Sequence, residues 1–477
     1  MSFAVAPAGR CRIGIGKADI TPPPDAYHRN WGAALHDRAE GIHRPLSVTA
    51  LLLQAASGGP EHLLLTFDLG WLRPREMRIL RERVATATGI DSEYLIITFS
   101  HTHAAIQIDL TRSTEPGGEH LEPYFDALPE YCVEATAAAR AMLQPADLSY
   151  STGRCNLAWQ RDFYDEERSL FACGTNPLAE ADDTLLTIRC TAADGQVIAS
   201  LINYGCHPTT LAWDNKLISP DYIGAMREVV ENTTDAPCSF VLSACAELGP
   251  RDSYTGDIEI VERNGRQLGY AALSALESLP PPATRMHYQG PVLSGATLAH
   301  WTHEALDAQE RESAQTFRSA LLELELPFRD LPTREELENQ LGEWQTREAS
   351  ALATNDGDQL AESRAHIERI RRAMRRLEEL PTEPHARYPI RVWQVGAGIF
   401  TFLSGEPYSL LQVELRRRFP QTPIIVSVLC NEPYSYILPR DQYGIGLYQD
   451  EVATLAPGAL EHIIDAISDQ LREWGCS

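Results

Sequence analysis

The sequence predicts an α/β fold: a layered, mixed β-sheet flanked by helices and interrupted by an inserted, charged helical hairpin. Three observations predict it. Short apolar runs recur along the chain, too continuous for strands with one wet face. Amphipathic segments of helical period separate them. One stretch, 303–385, changes character and becomes dense in Glu, Arg, Gln and Ala. Buried strands alternating with helices are the mark of a layered α/β core.

In chain order, the first buried strands are Leu51-Leu52-Leu53, the run 63–67 (LLLTF) and the run 94–99 (YLIITF). Between the last two, residues 73–88 space Met77, Leu80 and Val84 at intervals of three and four, which makes an amphipathic helix. Further strands are expected at 184–190, 197–203, 240–243, 399–403 and 424–428. Within 303–385, Thr333 and Glu336 form a capping box ahead of Leu337, Leu341 and Trp344. Ile367, Ile370, Met374 and Leu377 make a second apolar stripe, so this stretch reads as an antiparallel helix pair on the surface, with a lid or an oligomer contact as other uses. The chain closes on a helix at 460–474. The organisation is therefore a catalytic core in two parts, 1–302 and 386–477, around the insertion 303–385.

Charge narrows the function. With 41 Lys and Arg against 66 Asp and Glu, the net charge is −25. Such a surface repels phosphate backbones and anionic lipids, so the expected partner is a small-molecule substrate, with no nucleic acid and no membrane insertion; a homo-oligomer stays open. No run approaches the roughly 20 apolar residues of a spanning helix. The start, Met1 to Pro7, lacks a basic segment followed by an apolar one, which gives the expectation of a cytoplasmic protein. Ten scattered cysteines with no C-x-x-C pair read as reduced, buried residues, Cys206 among them.

The chemistry gathers at strand ends. Ser100-His101-Thr102-His103 follows the strand 94–99, and an H-x-H pair in extended backbone sends both imidazoles to one side. Strand 197–203 runs into Gly205-Cys206-His207-Pro208-Thr209, strand 399–403 into Ser404-Gly405-Glu406-Pro407, and strand 424–428 into Asn431 through Tyr436. Loops at the carboxyl ends of strands are where α/β sheets place ligands. Two histidines, a glutamate and a phenol there form a nitrogen and oxygen donor set suited to zinc. Each has a plainer use: His207 as a turn cap, Glu406 as a solvated acid, Tyr436 as core. Gly14-x-Gly16 lacks the third glycine and following helix of a dinucleotide loop. Asp19, Asp68 and Asp221 read either as acceptors for the ligand histidines or as turn caps. Arg73 and Arg75 read as a solvated helix start, and Trp31, Trp159 and Trp213 as pocket lining or core.

Taken in order, Gly14-Ile15-Gly16-Lys17-Ala18-Asp19-Ile20-Thr21-Pro22, Asp68-Leu69-Gly70, Ser100–His103, Asn203–Thr209, Ser219–Gly224, Gly405-Glu406 and Asn431–Tyr436 resemble the neutral/alkaline non-lysosomal ceramidase family. The resemblance implies zinc ligands at His101, His207, Glu406 and Tyr436, the last matched in preference to Tyr434. It implies that His103 faces substrate and exchanges protons. It implies that Arg161, in Gln160-Arg161 where the family has Asn-Arg, polarises a carbonyl or holds an anionic group. The activity implied is zinc-dependent hydrolysis of an amide (N-acyl) bond by metal-activated water. An esterase, lactonase or deacetylase acting on a small soluble metabolite is one alternative, and a catalytically inactive binding protein of the same fold is another.

The chain departs from the family in ways that bear on substrate. Ala246-Glu247-Leu248-Gly249-Pro250 stands where the family has a serine before the proline, so Gly249 offers no hydroxyl and Glu247 becomes a candidate base. Neither an export signal nor the family's C-terminal β-sandwich domain is expected here, and the insertion is foreign to the lipid enzymes. A soluble amide or ester is expected in preference to ceramide.

Overall fold

A computed structural model describes residues 3–432 and 434–477; Met1 and Ser2 of the N-terminal reading, and Pro433 of the last strand-end motif, lie outside them. The main sheet holds eight strands: β1 (Ala8–Asp19), β2 (Ser47–Ala55), β3 (His62–Phe67), β4 (Leu95–Phe99), β5 (Gln144–Arg154), β6 (Thr184–Ala192), β7 (Val197–Tyr204) and β8 (Cys238–Leu242). Their order across the sheet is β8-β7-β6-β5-β1-β2-β3-β4. The interior pairs are antiparallel, while β7 with β8 and β3 with β4 are parallel, so the sheet is mixed as its sequence requires.

A second sheet of four strands, β9 (Phe317–Pro327), β10 (His385–Val395), β11 (Gly398–Phe402) and β12 (Ile424–Ser427), lies in that order. Strand parity shows how the two sheets meet. Ile13, Leu51, Leu53, Leu64 and Ile96 share one apolar cluster with Trp393, Val395, Phe400 and Phe402. Their neighbours Ala50, Leu52, Leu63, Leu65, Leu95 and Ile97 belong to another cluster with helix residues. Because successive side chains point to opposite faces, one set packs sheet on sheet and the other packs sheet on helix. The layers are helix, sheet, sheet, helix. Helices α1 (Pro74–Thr88), α2 (Leu121–Ala141), α3 (Tyr222–Thr234) and α4 (Ile258–Glu277) contribute Met77, Leu128, Met226 and Leu268 to that second cluster. None of the described helices is long and apolar enough to cross a membrane.

The paired glycines of β1 have a packing role. A Cβ built on Gly14 would lie 2.0 Å from the Ala139 carbonyl oxygen, and one on Gly16 would lie 2.3 Å from that of Ala135. Helix α2 therefore rests on bare backbone. Gly16→Val is expected to lower stability by about 3 kcal/mol, because the helix must lift off the sheet. A urea midpoint unchanged from wild type would contradict this packing.

The insertion differs from its expected extent. Helices α5 (Arg334–Thr354) and α6 (Gly357–Glu379) form the hairpin, and Thr333 and Glu336 make both halves of the capping box. Residues 317–327, expected to be helical, are instead strand β9. Leu322, Leu324 and Leu326 alternate with Glu323 and Glu325 there, a period of two that the Glu-rich composition masked. Arg73 is not solvated either: it pairs with Asp109 at 3.0 Å and with Glu379 at 2.6 Å. Arg112 meets Glu368 at 2.6 Å with both side chains 6% exposed, and Arg375 also reaches Asp109. These contacts clamp α6 onto the loop that follows His103. Breaking a buried pair of this kind costs about 3–5 kcal/mol, so the hairpin is fixed to the core.

Candidate metal centre

Strand ends from both sheets deliver the site, and the backbone is strained where they do. Beyond β4, Ser100 N–H donates to Phe67 O and His101 N–H to Leu69 O, which continues the β3–β4 ladder. His101 itself sits at φ +66°, and Leu429 and Asn431 beyond β12 sit at +56° and +59°. Non-glycine residues in this region cost about 1–3 kcal/mol each and persist where the surroundings over-determine them. Gly405 is at φ +75°, and a Cβ there would lie 2.6 Å from the Ser435 carbonyl oxygen, so only glycine fits before Glu406. The next residues form a short parallel ladder in which Glu406 is the register partner of Tyr436. A second ladder pairs Leu248–Pro250 with Ala158–Gln160 and brings Arg161 alongside Ala246.

His101, His103 and His207 converge, their nearest ring nitrogens all within 4.8 Å of one another. Glu406 Oε2 lies 3.2 Å from His101 Nε2 and 3.0 Å from His207 Nε2. The opposite nitrogens are occupied by backbone. His101 Nδ1 is 2.8 Å from Gly70 O, and His207 Nδ1 is 2.7 Å from Cys245 O. A carbonyl only accepts, so each Nδ1 carries the hydrogen and each Nε2 presents a lone pair. Two lone pairs thus face one carboxylate oxygen, an arrangement that calls for a cation or a shared proton. Burial, with the Arg161 charge behind it, pushes the His207 imidazole down to about 4, so it is neutral near pH 7. Burial alone would raise the Glu406 carboxyl, but a positive charge shared with His101 and His207 holds it well below the usual carboxylate range. Neutral imidazoles and a carboxylate are donors of the kind that zinc takes.

His103 is different. It is half-buried, its Nε2 is 3.4 Å from His101 Nε2, and its ring lies 5.1 Å from that of Trp31. Burial first, then His101 and His207, depress its imidazole well below the usual value. Arg161, 3% exposed, donates through Nε to Ala246 O at 2.9 Å and through Nη2 to the Tyr436 hydroxyl at 3.1 Å. Tyr436 is buried, which raises its phenol well above the ordinary value.

Glu247 points elsewhere. Both carboxylate oxygens accept from Ser409 N–H at 3.0 Å, at the start of α7 (Leu410–Arg418). Ala246 and Glu247 form the turn ahead of the Leu248–Pro250 ladder, where the Ala246 carbonyl goes to Arg161 and the Glu247 side chain goes to Ser409. Burial, opposed by the Ser409 hydrogen bonds, lifts the Glu247 carboxyl from 4.5 to about 7. A folded-state pKa above the unfolded one means stability is fully present below about 4.5 and falls as pH rises towards about 7. Glu247→Gln is therefore expected to gain stability over wild type at about pH 8 relative to about pH 5. Denaturation midpoints that differ by the same amount at both pH values would contradict it.

The three aspartates cap turns and pairs and do not brace the histidines. Asp221 accepts from Leu211 N–H and Tyr222 N–H, Asp68 holds Ser47 and Arg227, and Asp19 holds Thr21. All ten cysteines are free, and burial lifts the Cys206 thiol well above its normal range. Trp31 and Trp213 do line the site. Tyr254, whose ring lies 5.5 Å from that of Trp31, escaped sequence reading. It carries no motif, and only the Gly249 ladder and a backbone at φ +56° bring it there.

Comparisons with known proteins agree with this architecture. The model of the N-terminal region of the neutral/alkaline non-lysosomal ceramidases matches residues 11–255, just over half of the chain. Neutral ceramidase of Pseudomonas aeruginosa is 25% identical over 232 residues, an alignment covering 45% of this chain and 32% of that protein. The sequence match thus spans about a third of the relative's length. The crystal structure of neutral ceramidase from Pseudomonas aeruginosa superposes with a TM-score of 0.64 at 17% identity, covering 98% of this chain and 75% of that one. A structure of ceramidase complexed with C2 gives 0.64 at 16% identity, covering 98% and 76%. At those identities the superpositions establish the fold. The family match extends through the loops that carry His101, His103, Arg161 and His207, and this chain belongs to the neutral/alkaline non-lysosomal ceramidase family.

Proposed function

We propose that this chain is a zinc-dependent hydrolase that cleaves the N-acyl amide bond of a small, soluble substrate. The observation that carries the reading is the pair of neutral imidazoles, each tied at Nδ1 to a carbonyl, aiming Nε2 at one oxygen of Glu406. His101, His207 and Glu406 would hold the ion, with Tyr436 as a fourth donor. When bound, zinc lowers the pKa of coordinated water towards about 7 and polarises an acyl carbonyl.

The chain's own residues supply the rest. His103 has no backbone partner fixing its ring among the described hydrogen bonds, and it is open on the Trp31 side. It is neutral, so it accepts the proton that water loses on attacking the carbonyl. It then returns that proton to the amide nitrogen as the C–N bond breaks. Arg161 is a buried cation held by a carbonyl and a phenol, and it stabilises negative charge that develops on the acyl oxygen. Glu247 acts as a positioning residue through Ser409 and is not a base.

The family supplies the amide class. A soluble substrate is favoured by the missing serine at Gly249, by the hairpin fixed beside the site and by the net charge of −25. Hydrolysis of N-acylated amines in 18O-enriched water is expected to yield amine and carboxylate in equal amounts, with one labelled oxygen in the carboxylate. Turnover of esters or lactones alone, with every amide untouched, would replace this reading by the esterase alternative.

A further inference from the structure

We propose that the wall beside His103 is a subsite for a hydroxylated ring with one apolar C–H face, an amino sugar in its pyranose form, carried on the nitrogen side of the scissile amide. The proposal rests on the hydrolase reading above and names its substrate class.

Trp31 lies beside His103, and two further large rings, Trp213 and Tyr254, pack around Trp31. Trp31 lies 5.1 Å from His103, 5.5 Å from Tyr254 and 6.4 Å from Trp213, while Trp213 stacks on Tyr254 at 6.3 Å with 22° between planes. Trp213 is 39% exposed, so the wall opens to solvent. Aromatic faces of this kind offer broad contact area to the apolar face of a ring.

The same wall carries polar atoms with nothing to bond. Trp31 Nε1 and Thr209 Oγ1 are both buried, and neither has a hydrogen-bond partner among the described residues. Thr209 borders the space at Gly249. A Cβ placed there would meet Ser253 Oγ at 3.6 Å, Thr209 Oγ1 at 3.7 Å and Arg161 Cδ at 3.8 Å, all ordinary contacts. The glycine thus leaves space for about one methyl group, bordered by two hydroxyls and the Arg161 side chain.

An alkyl chain laid against this wall would leave the buried indole N–H and threonine hydroxyl unsatisfied, which is costly. A ring with an apolar face and peripheral hydroxyls stacks on the aromatics and satisfies both groups. A bare aromatic ring would do the first but not the second.

The test uses binding, so that it is independent of turnover. Glucosamine and N-acetylglucosamine are titrated into the intact protein, with and without zinc, and read by tryptophan fluorescence and saturation-transfer NMR. Acetanilide and a short-chain N-acyl sphingosine serve as the aromatic and lipid arms. The expected result is saturable binding of the two sugars, weakened at least tenfold in Trp213→Ala and at least threefold in Thr209→Val, with the circular dichroism of both variants unchanged. Sugar binding that ignores Trp213→Ala, or tighter binding of acetanilide or of the sphingosine amide, would overturn the proposal. If no amide is hydrolysed yet the sugars bind through Trp213, the hydrolase reading fails and the subsite stands. If amides are hydrolysed and the sugars do not bind, the reverse holds.

Discussion

His207→Ala is expected to abolish turnover by removing the metal, leaving well under a tenth of the wild-type zinc after dialysis. The His207 ring is fully buried, with Nδ1 held by Cys245 O and Nε2 directed at Glu406. Three donors remain, His101, Glu406 and Tyr436, but the set has lost one of its two imidazoles and keeps only one nitrogen donor. Metal content by mass spectrometry, with circular dichroism to confirm folding, gives the answer. A folded variant that keeps its zinc would remove His207 from the ligand set.

His103→Ala is expected to do the opposite: zinc retained, turnover lost. General acid and base groups contribute about 10²–10⁴-fold, so kcat should fall by that factor with KM little changed. The three histidines alone offer a rival ligand set, since their nitrogens all fall within 4.8 Å. Hydrogen bonding separates the two possibilities. His101 and His207 are each anchored by a carbonyl at Nδ1, whereas the hydrogen bond described for the His103 ring goes to His101, and its other neighbour is the Trp31 face. Ligand imidazoles almost always have such an anchor. Equal metal loss in His103→Ala and His207→Ala would favour the three-histidine set and give His103 a different role.

How far these features can be read from sequence follows from what each depends on. His101 and His207 were legible because they end buried strands, and strand ends are local in the chain. The pairing of Glu406 with Tyr436 was not, since it comes from a parallel ladder between segments about thirty residues apart in a site built by both sheets. Glu247 is a similar case: its side chain leaves from a turn towards Ser409, a direction that is set only in the folded chain. The acceptors that orient the histidines are carbonyls of Gly70 and Cys245, and carbonyls leave no trace in sequence, so Asp19, Asp68 and Asp221 drew attention they do not hold. Strand β9 was hidden by Glu-rich composition, although Leu322, Leu324 and Leu326 keep the period of a strand. The facing of the two sheets emerges only from parity, with Leu51 and Leu53 meeting Trp393 and Phe400 while Leu52 meets helices.

The most direct measurement is the zinc stoichiometry of purified protein set against its activity. Protein as isolated, or dialysed against zinc after chelation, should hold about one zinc per chain, by the three-to-four-ligand rule for such sites. Amide hydrolysis should vanish with chelation and return in proportion to zinc restored. A preparation that contains no metal and hydrolyses amides at the full rate would contradict the assignment of His101, His207, Glu406 and Tyr436 as a catalytic metal centre.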